Sequence, residues 1–584
     1  MVSVKRERNR LLVGAIPIVA IAALLSLWRV RSVSGAVFDE NNQPIAGASV
    51  RIRATQFAAA TDAQGRFTLS GFAPALKARV TAWAEGYYVA GRAVWPWDRT
   101  VTLALSPYTV ADNESYVWIQ PAVDERGTWE MLKLRARLDP TAALAPDALF
   151  FKAAEGLTLG CRDCHGAVIY EQWVAGAHAL GFNNLRFASM YNGTDLTGGH
   201  QSPPTRYGFN RDYGRIPLRP DLSQPYFGPG YKLDFPDTAG NCAACHLPAA
   251  ALAEPYGTDP NTVVGVNALG SHCDFCHKIA AVKLNPDSGL PYENMPGVLS
   301  MAMMRPSPQK QIFFGPYDDV DAGTDTYLPL QRRSEYCAPC HTARFWGVPI
   351  YASFAEWKAS TYSDPETGQT CQDCHMKPDG VTSNFAPGRA GQERNPDEVF
   401  THNFPGASDE ELLRNAVTMT TTASMEENAL VVRVSITNDK TGHHVPTDSP
   451  LRHLILLVKA TDADGNLLQQ LAGSTAPEWA GVGDPGQGYY ANLPGRAFAK
   501  VLQELWTEIT PTGAYWNPTR LVSDNRLAAF ATDTSIYTFA APAEGQVTVQ
   551  VTLLFRRAFK ALMDQKGWDS PDVIMERVML RVSR

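Results

Sequence analysis

One short pattern, Cys-x-x-Cys-His, constrains this chain more than any other feature. It occurs five times within 584 residues and uses all ten cysteines. Disulfide frameworks and zinc ribbons also use cysteine pairs, but neither requires a histidine directly after every second cysteine. The pattern is the attachment signature of a c-type haem. We therefore predict five covalently bound haems c as the cofactors.

Each copy of the pattern supplies the groups that hold one haem. Two thiols add to the porphyrin vinyl groups as thioethers, and the adjoining histidine is the proximal ligand of the iron. The predicted thioether residues are Cys161, Cys164, Cys242, Cys245, Cys273, Cys276, Cys337, Cys340, Cys371 and Cys374. The predicted proximal ligands are His165, His246, His277, His341 and His375.

Seven further histidines are available for the distal side of the irons. The chain has no histidine before His165 and none after His453, and this concentration favours ligation over an unrelated spread. The distal candidates are His178, His272, His402, His443 and His200. We expect His444 to be a neighbour of the ligand His443, and His453, in a predicted strand, to be structural.

A group of methionines before the fourth motif offers an alternative to one of these histidines. Met303 or Met304 competes with His200 for the fifth distal position, and a methionine ligand would raise the potential of that haem. Adaptable core packing is the other role open to these side chains. One haem is therefore either bis-histidine, histidine–methionine or five-coordinate.

The N-terminus carries a targeting signal. Basic residues precede an uncharged apolar run from Leu11 to Trp28, which reaches the length of a membrane span. A cleaved signal peptide is the alternative, although only a poor cleavage site, 32–34, follows the run. We predict an uncleaved anchor within residues 1–31, with the bulk of the chain on the extracytoplasmic face of the cell membrane.

Alternating polarity predicts β-structure at both ends of the exported chain. Near the N-terminus the strands are 49–53, 66–69 and 101–105; near the C-terminus they are 429–436, 454–458 and 546–554. Short helices are expected at 408–415 and 557–565, a strand at 116–119 and a helix at 142–152. The long gap after the first motif reads as an extended loop around the haems.

The predicted fold class is multidomain. An N-terminal anchor or signal (1–31) is followed by a β-sandwich (32–107), a connector (108–157), a haem-packed, mostly α-helical or irregular cytochrome domain (158–425) and a second β-sandwich (426–584).

The first sandwich resembles the carboxypeptidase regulatory-like domain. The resemblance is carried by the segments 35–39, 44–48, 61–67 and 86–87. It implies a fold without a catalytic constellation, which favours a spacer or docking module.

The region 158–460 resembles the multihaem c-type cytochromes of the cytochrome c-prime-like class, many of which have a C-terminal β-sandwich. The segments that carry this are 161–173 with His178, 314–317, 334–341, 356–362, 371–376 and 402–406. The resemblance implies that His178, His402 and His443 are distal ligands. Relatives often have a histidine shortly after Gly-Pro-Tyr, and here 318–328 has none.

These features favour electron transfer over catalysis. Five close haems form a path for electrons, and the predicted partners are other redox proteins or a membrane quinol-oxidising complex. The alternative is a multihaem oxidoreductase that acts on a small nitrogen or sulfur species at one open haem. A cytochrome complex or polymer is compatible with either function. The net charge of −7 and the lack of a basic stripe exclude nucleic acid as an expected partner.

Overall fold

The structure is a computed structural model and describes residues 31–72, 78–95, 97–122, 160–307, 310–389 and 391–583. Two predictions lie outside these ranges: the anchor or signal, except for residue 31, and the helix at 142–152. Among the helices of the described ranges, none has the length and apolar character needed to cross a membrane.

The N-terminal module is a β-sandwich, as its alternating sequence predicts. Its two sheets have the strand orders β4-β1-β7 and β3-β2-β5-β6. Val33, Val37, Val50, Val80 and Leu103 are among the buried residues between them. The strands are β1 (Arg31–Asp39), β2 (Ser49–Ile52), β3 (Ala58–Ala60), β4 (Arg66–Phe72), β5 (Ala78–Trp83), β6 (Ala90–Val94) and β7 (Thr100–Leu105).

This module is docked on the motif-bearing region. The Arg51 guanidinium donates two hydrogen bonds to the Asp318 carboxylate, at 2.9 and 3.1 Å. Arg53 and Arg79 both pair with Asp321. These carboxylates lie in 318–328, the stretch that follows Gly-Pro-Tyr and has no histidine. In this protein, residues 318–328 supply the carboxylates that bind the N-terminal β-module to the central region.

The central region contains short helical turns, small hairpins and irregular chain. Its longest helical segment has 14 residues and is kinked at Gly166, and most of the others have four to six residues. Its helices are α1 (Cys161–Val174), α2 (Ala177–Leu180), α3 (Leu185–Asn192), α4 (Tyr231–Asp234), α5 (Ala243–His246), α6 (Pro248–Ala251), α7 (Cys273–Cys276), α8 (Ala338–His341), α9 (Ser353–Lys358), α10 (Cys371–His375) and α11 (Glu410–Arg414).

Four two-stranded sheets complete this region. Three pair neighbouring strands in antiparallel fashion, and the pair β12–β13 is parallel. The strands are β8 (Tyr207–Asn210), β9 (Gly214–Pro217), β10 (Ile279–Val282), β11 (Met301–Met303), β12 (Phe313–Gly315), β13 (Asp325–Tyr327), β14 (Ala343–Phe345) and β15 (Val348–Tyr351).

The predicted fold class is therefore wrong. The domain at 158–425 was predicted to be mostly α-helical or irregular, whereas the described chain between the motifs runs in turns, short helices and small β-hairpins. The predicted strand at 116–119 is also wrong. The Ile119 amide donates to the Asp274 carboxylate at 2.8 Å instead of to a neighbouring strand.

The C-terminal module is a second β-sandwich that begins at Thr418. Its sheets have the orders β16-β17-β22-β19 and β21-β20-β18-β23-β24. The expected short helices are confirmed as α11, capped by Asp409, and α12 (Lys560–Lys566). The strands are β16 (Thr418–Glu426), β17 (Ala429–Thr437), β18 (His453–Thr461), β19 (Gln470–Ala472), β20 (Gly495–Glu504), β21 (Thr519–Asp524), β22 (Thr532–Ala540), β23 (Gln546–Arg556) and β24 (Val573–Ser583).

This second sandwich also packs on the central region. The Lys566 ammonium at the end of α12 donates to the carbonyls of Ser189, Thr194 and Pro229 at 2.9, 3.1 and 2.6 Å. The Lys500 ammonium donates to the Pro349 carbonyl at 2.9 Å. Buried ammonium groups satisfied by several carbonyls fix the two parts in one arrangement.

Candidate haem-binding sites

Each of the five motifs folds into one helical turn. Three helices, α1, α7 and α10, begin at the first cysteine of a motif. The other two, α5 and α8, begin at the residue after the first cysteine. Positions three and four apart share one face of a helix, so the two thiols and the following imidazole project to the same side. This is the arrangement that covalent haem attachment requires.

Local capping explains why such short turns form. The Asp163 carboxylate accepts the Gly160 amide at 2.7 Å, and the Asp373 carboxylate accepts the Thr370 amide at 2.7 Å. In both cases an acidic residue inside the motif satisfies a free amide at the helix start. At α7 the cap is His272, whose Nδ1 accepts the Phe275 amide at 3.2 Å.

The Nδ1 atoms of four proximal histidines are engaged by other groups. Three of them face a backbone carbonyl: His165 faces Phe385 at 2.8 Å, His277 faces Phe314 at 2.6 Å and His375 faces Pro405 at 2.7 Å. His341 instead faces the Asp448 carboxylate, at 3.1 Å. Such contacts fix the tautomer and leave Nε2 as the metal-binding nitrogen.

Two histidines from distant parts of the chain face proximal histidines. The ring centroids of His178 and His341 are 6.3 Å apart, and those of His375 and His443 are also 6.3 Å apart. A metal bond of about 2 Å to each imidazole would place two rings about 6 Å apart on either side of an iron. The spacing therefore fits a haem iron at the fourth and fifth motifs.

His402 and His272 also offer unengaged ring nitrogens. The Nδ1 of His402 and the Nε2 of His272 are buried without a hydrogen-bond partner. Burial lowers the pKa of His402 to about 3, with further lowering from the nearby charges of His277 and His165. Burial lowers the pKa of His272 to about 4. Both rings are thus neutral at neutral pH, which is the charge state that binds metals. In His272, however, Nδ1 accepts the Phe275 amide, so the ring proton lies on Nε2, and only His402 offers an unprotonated nitrogen without a partner.

The remaining histidines lie in other surroundings. The side chain of His200 is 68% exposed, and its Nδ1 lies 2.7 Å from the Asp195 carboxylate. His444 contacts Glu356, and His453 is enclosed in the C-terminal sandwich, stacked on Phe559. Met301 and Met303 pack in an apolar cluster with Tyr336 and Cys276, and Met304 packs beside Phe314.

The second motif has a different environment. Phe187 stacks on the His246 ring with centroids 4.0 Å apart, and within the described ranges no second imidazole ring is stacked on it. Two tyrosines, Tyr351 and Tyr515, lie close by, with their hydroxyls 2.8 Å apart. Burial raises the pKa of Tyr351, and the neighbouring Tyr515, Cys242 and Cys245 add to that rise.

Cysteines of different motifs lie next to one another. The thiol of Cys161 is within hydrogen-bonding range of Cys273, that of Cys245 is within range of Cys340, and that of Cys337 is within range of Cys371. These contacts join the first motif to the third, the second to the fourth, and the fourth to the fifth. The Tyr336 hydroxyl, next to Cys337, donates to the Cys276 carbonyl at 2.5 Å and joins the third motif to the fourth. The motifs thus form one contiguous cluster, although they are dispersed along the sequence.

The residues present fit haem. The ten cysteines of the five motifs, the buried neutral imidazoles and two imidazole pairs with ring centroids 6.3 Å apart are the donor set that covalently attached haem needs. The thioether, proximal and distal assignments remain predictions. Sequence reasoning missed Asp448 and the Tyr351–Tyr515 pair. A signal for Asp448 was available, because this carboxylate follows His443 by only a few residues in the same loop.

The comparison with protein families agrees with the sequence at one end of the chain. The family model of the carboxypeptidase regulatory-like domain matches residues 32–106, which confirms that resemblance. The match covers the N-terminal module and leaves the motif-bearing region unassigned. No curated protein matches this chain.

Solved structures give low-scoring likenesses. A penta-heme cytochrome c552 from Thermochromatium tepidum has 18% identity, covers 72% of this chain and 97% of its own, and has a TM-score of 0.47. A cohesin–X-dockerin complex from Acetivibrio cellulolyticus has 23% identity, covers 13% of this chain and 58% of its own, and has a TM-score of 0.12. At these scores neither likeness decides fold or function.

Proposed function

We propose that this protein is a five-haem c-type cytochrome that passes electrons between redox partners. The observation that carries the proposal is the pair of imidazole contacts, His178 with His341 and His375 with His443, both at a ring separation of 6.3 Å. Closing both sides of an iron with imidazole leaves no position for substrate, which suits electron transfer.

When bound, the haem irons would supply one-electron transfer, and the chain's own residues set the conditions for it. The carbonyls of Phe385, Phe314 and Pro405 orient three proximal imidazoles. Burial keeps the imidazoles of His178 and His402 neutral and therefore able to bind iron. The contacts between cysteines of different motifs support electron passage between neighbouring sites.

The location and partners follow from the same chemistry. Thioether attachment of haem takes place outside the cytoplasm, so the proposed location is extracytoplasmic. The proposed partners are other redox proteins or a quinol-oxidising complex, and a cytochrome complex or polymer is a compatible assembly. Two β-sandwiches that flank the haem region offer the surfaces for such contacts.

A second candidate function rests on the second motif. His246 is stacked on a phenylalanine, and the Tyr351–Tyr515 hydroxyl pair lies near Cys242. An iron with one imidazole and nearby hydroxyl donors would bind a small nitrogen or sulfur species. The protein would then be an oxidoreductase in which the other four sites deliver electrons to this one.

The spin state of the oxidised protein distinguishes the two functions. Electron transfer alone predicts an electron paramagnetic resonance spectrum with only low-spin haems and no response to nitrite or cyanide. Catalysis at the second motif predicts one high-spin haem that changes on adding either ligand. Replacing Tyr351 by phenylalanine should alter that response in the second case only.

A further inference from the structure

The fourth motif differs from the others in the group that its proximal histidine contacts. Nδ1 of His341 lies 3.1 Å from a carboxylate oxygen of Asp448. Nδ1 of three other proximal histidines, His165, His277 and His375, contacts a neutral backbone carbonyl. The fourth site is therefore distinguished by a carboxylate, instead of a neutral carbonyl, beside Nδ1 of its proximal histidine.

We propose that Asp448 sets the reduction potential of the fourth haem below those of the others. A carboxylate that accepts the Nδ1 proton makes the imidazole a stronger electron donor to the metal. A stronger donor stabilises ferric over ferrous iron, so the potential falls. Hydrogen bonding around the axial ligand is one of the levers by which proteins tune haem potentials. The inference rests on the proposed haem content.

Asp448 lies in a loop of the C-terminal sandwich and is held there by α9 of the central region. Its other oxygen accepts the Ser353 amide at 3.2 Å. Asp448 belongs to the loop after β17, which also carries His443, the histidine that faces His375. Asn438 donates to the His443 carbonyl at 2.8 Å and fixes the start of that loop. One loop thus serves two neighbouring sites, as ligand at the fifth and as positioning residue at the fourth.

The position of the fourth site gives this tuning a consequence. Cys340 lies against Cys245 of the second motif, and Cys337 lies against Cys371 of the fifth. The nearby charge of Cys276 also acts on Cys337, so the third motif is close as well. The fourth site is thus the junction of the cluster. A low potential there makes it the step at which an electron spends least time during transfer.

The test is a redox titration of the Asp448→Asn variant, followed by visible absorption. We expect one of five potentials to rise by at least the equivalent of a tenfold change in the reduction equilibrium, which is about 59 mV for one electron. The Asp448→Glu variant should restore the low value. Five unchanged potentials in Asp448→Asn would overturn the inference.

A matched control separates tuning from loosening of the loop. Glu356 also holds this loop, because its carboxylate accepts the His444 amide and the Thr447 hydroxyl, but it contacts no proximal histidine. Glu356→Gln should leave the lowest potential in place. An equal shift in both variants would mean that loop position, and not the carboxylate on His341, sets the potential.

The shifted haem is assigned by combining variants. His178→Ala removes the imidazole that faces His341, and the haem at the fourth motif should then be high-spin. Adding Asp448→Asn should shift the potential of that high-spin haem. A shift confined to a low-spin haem would contradict the inference. A protein without haem would show no redox transition at all, which is the distinct failure of the proposed function.

Discussion

The imidazole rings of His375 and His443 lie nearly parallel, with an angle of 13° between their planes and their centroids 6.3 Å apart. One ring belongs to the fifth Cys-x-x-Cys-His motif and the other to a loop of the C-terminal sandwich. The Nδ1 atoms of both rings face backbone carbonyls, Pro405 at 2.7 Å and His444 at 2.9 Å. The sandwich therefore does more than flank the motif cluster, because its loop brings His443 to the proximal histidine of the proposed fifth haem site.

Replacing His443 by alanine should leave the fifth iron with a single imidazole. We expect one haem to change from low-spin to high-spin, because the alanine cannot bind iron. Electron paramagnetic resonance of the oxidised protein measures this directly.

The matched control is His200→Ala. His200 is exposed and hydrogen-bonded to Asp195, so its removal should leave the spectrum unchanged. A low-spin spectrum that is unaltered in His443→Ala, or a change in His200→Ala, would contradict the assignment of the fifth site.

The His178→Ala change should act on a different iron. His178 faces His341, at the fourth motif, so its loss should produce one high-spin haem of its own. The double variant His178→Ala, His443→Ala should then contain two high-spin haems, counted by spin quantification. A double variant with only one high-spin haem would show that both histidines serve the same iron.

Docking of the N-terminal sandwich should depend on Arg51. The guanidinium makes two hydrogen bonds to the Asp318 carboxylate in a partly buried interface, and removing it leaves that carboxylate without its cationic partner, with the Ser49 hydroxyl still donating to it. We expect Arg51→Ala to weaken docking by about 2 kcal/mol. Limited proteolysis between the module and the central region measures the loss.

The control on the same module is Arg66→Ala. Arg66 pairs with Asp62 on the surface, where both side chains are largely exposed, and such pairs contribute about 0 to 1 kcal/mol. Equal proteolysis of the two variants would mean that the Asp318 contact does not hold the module in place.

Acid should release the same module. Burial raises the pKa of Asp318, but hydrogen bonds from Arg51 and Ser49 outweigh it, and the pKa is held below 3.8. A carboxyl with a lowered pKa stabilises the docked state fully above its unfolded value and loses that contribution as the pH falls through its folded value. Proteolysis should therefore increase below about pH 4, and less steeply in Asp318→Asn. Identical acid profiles in the two proteins would refute this role.

Sequence reasoning went furthest where the signal is local. Each Cys-x-x-Cys-His copy fixes its own helical turn, and alternation over 429–436 and 546–554 predicted two strands of the second sandwich, which are confirmed. Asp409 is a typical N-terminal cap and indicated the short helix at 410–414. These features depend on residues within one turn or one strand of each other.

Sequence reasoning failed where contacts are made between segments that are distant in the chain. No local pattern says that His178 faces His341, or that Asp448 contacts the same ring. A mostly α-helical or irregular central domain was expected, but side chains from distant segments satisfy backbone amides there, as the Gln172 amide oxygen does for His402. Asp318 likewise acquires its role only when the β-module meets it.

The haem content of the purified chain tests the central claim most directly. The protein should be produced in a host that attaches haem c and then measured intact by mass spectrometry under denaturing conditions. We predict a mass that exceeds the polypeptide by five haem groups, falling to four when Cys371 and Cys374 are both replaced by serine. A colourless protein with the mass of the bare polypeptide would contradict the account.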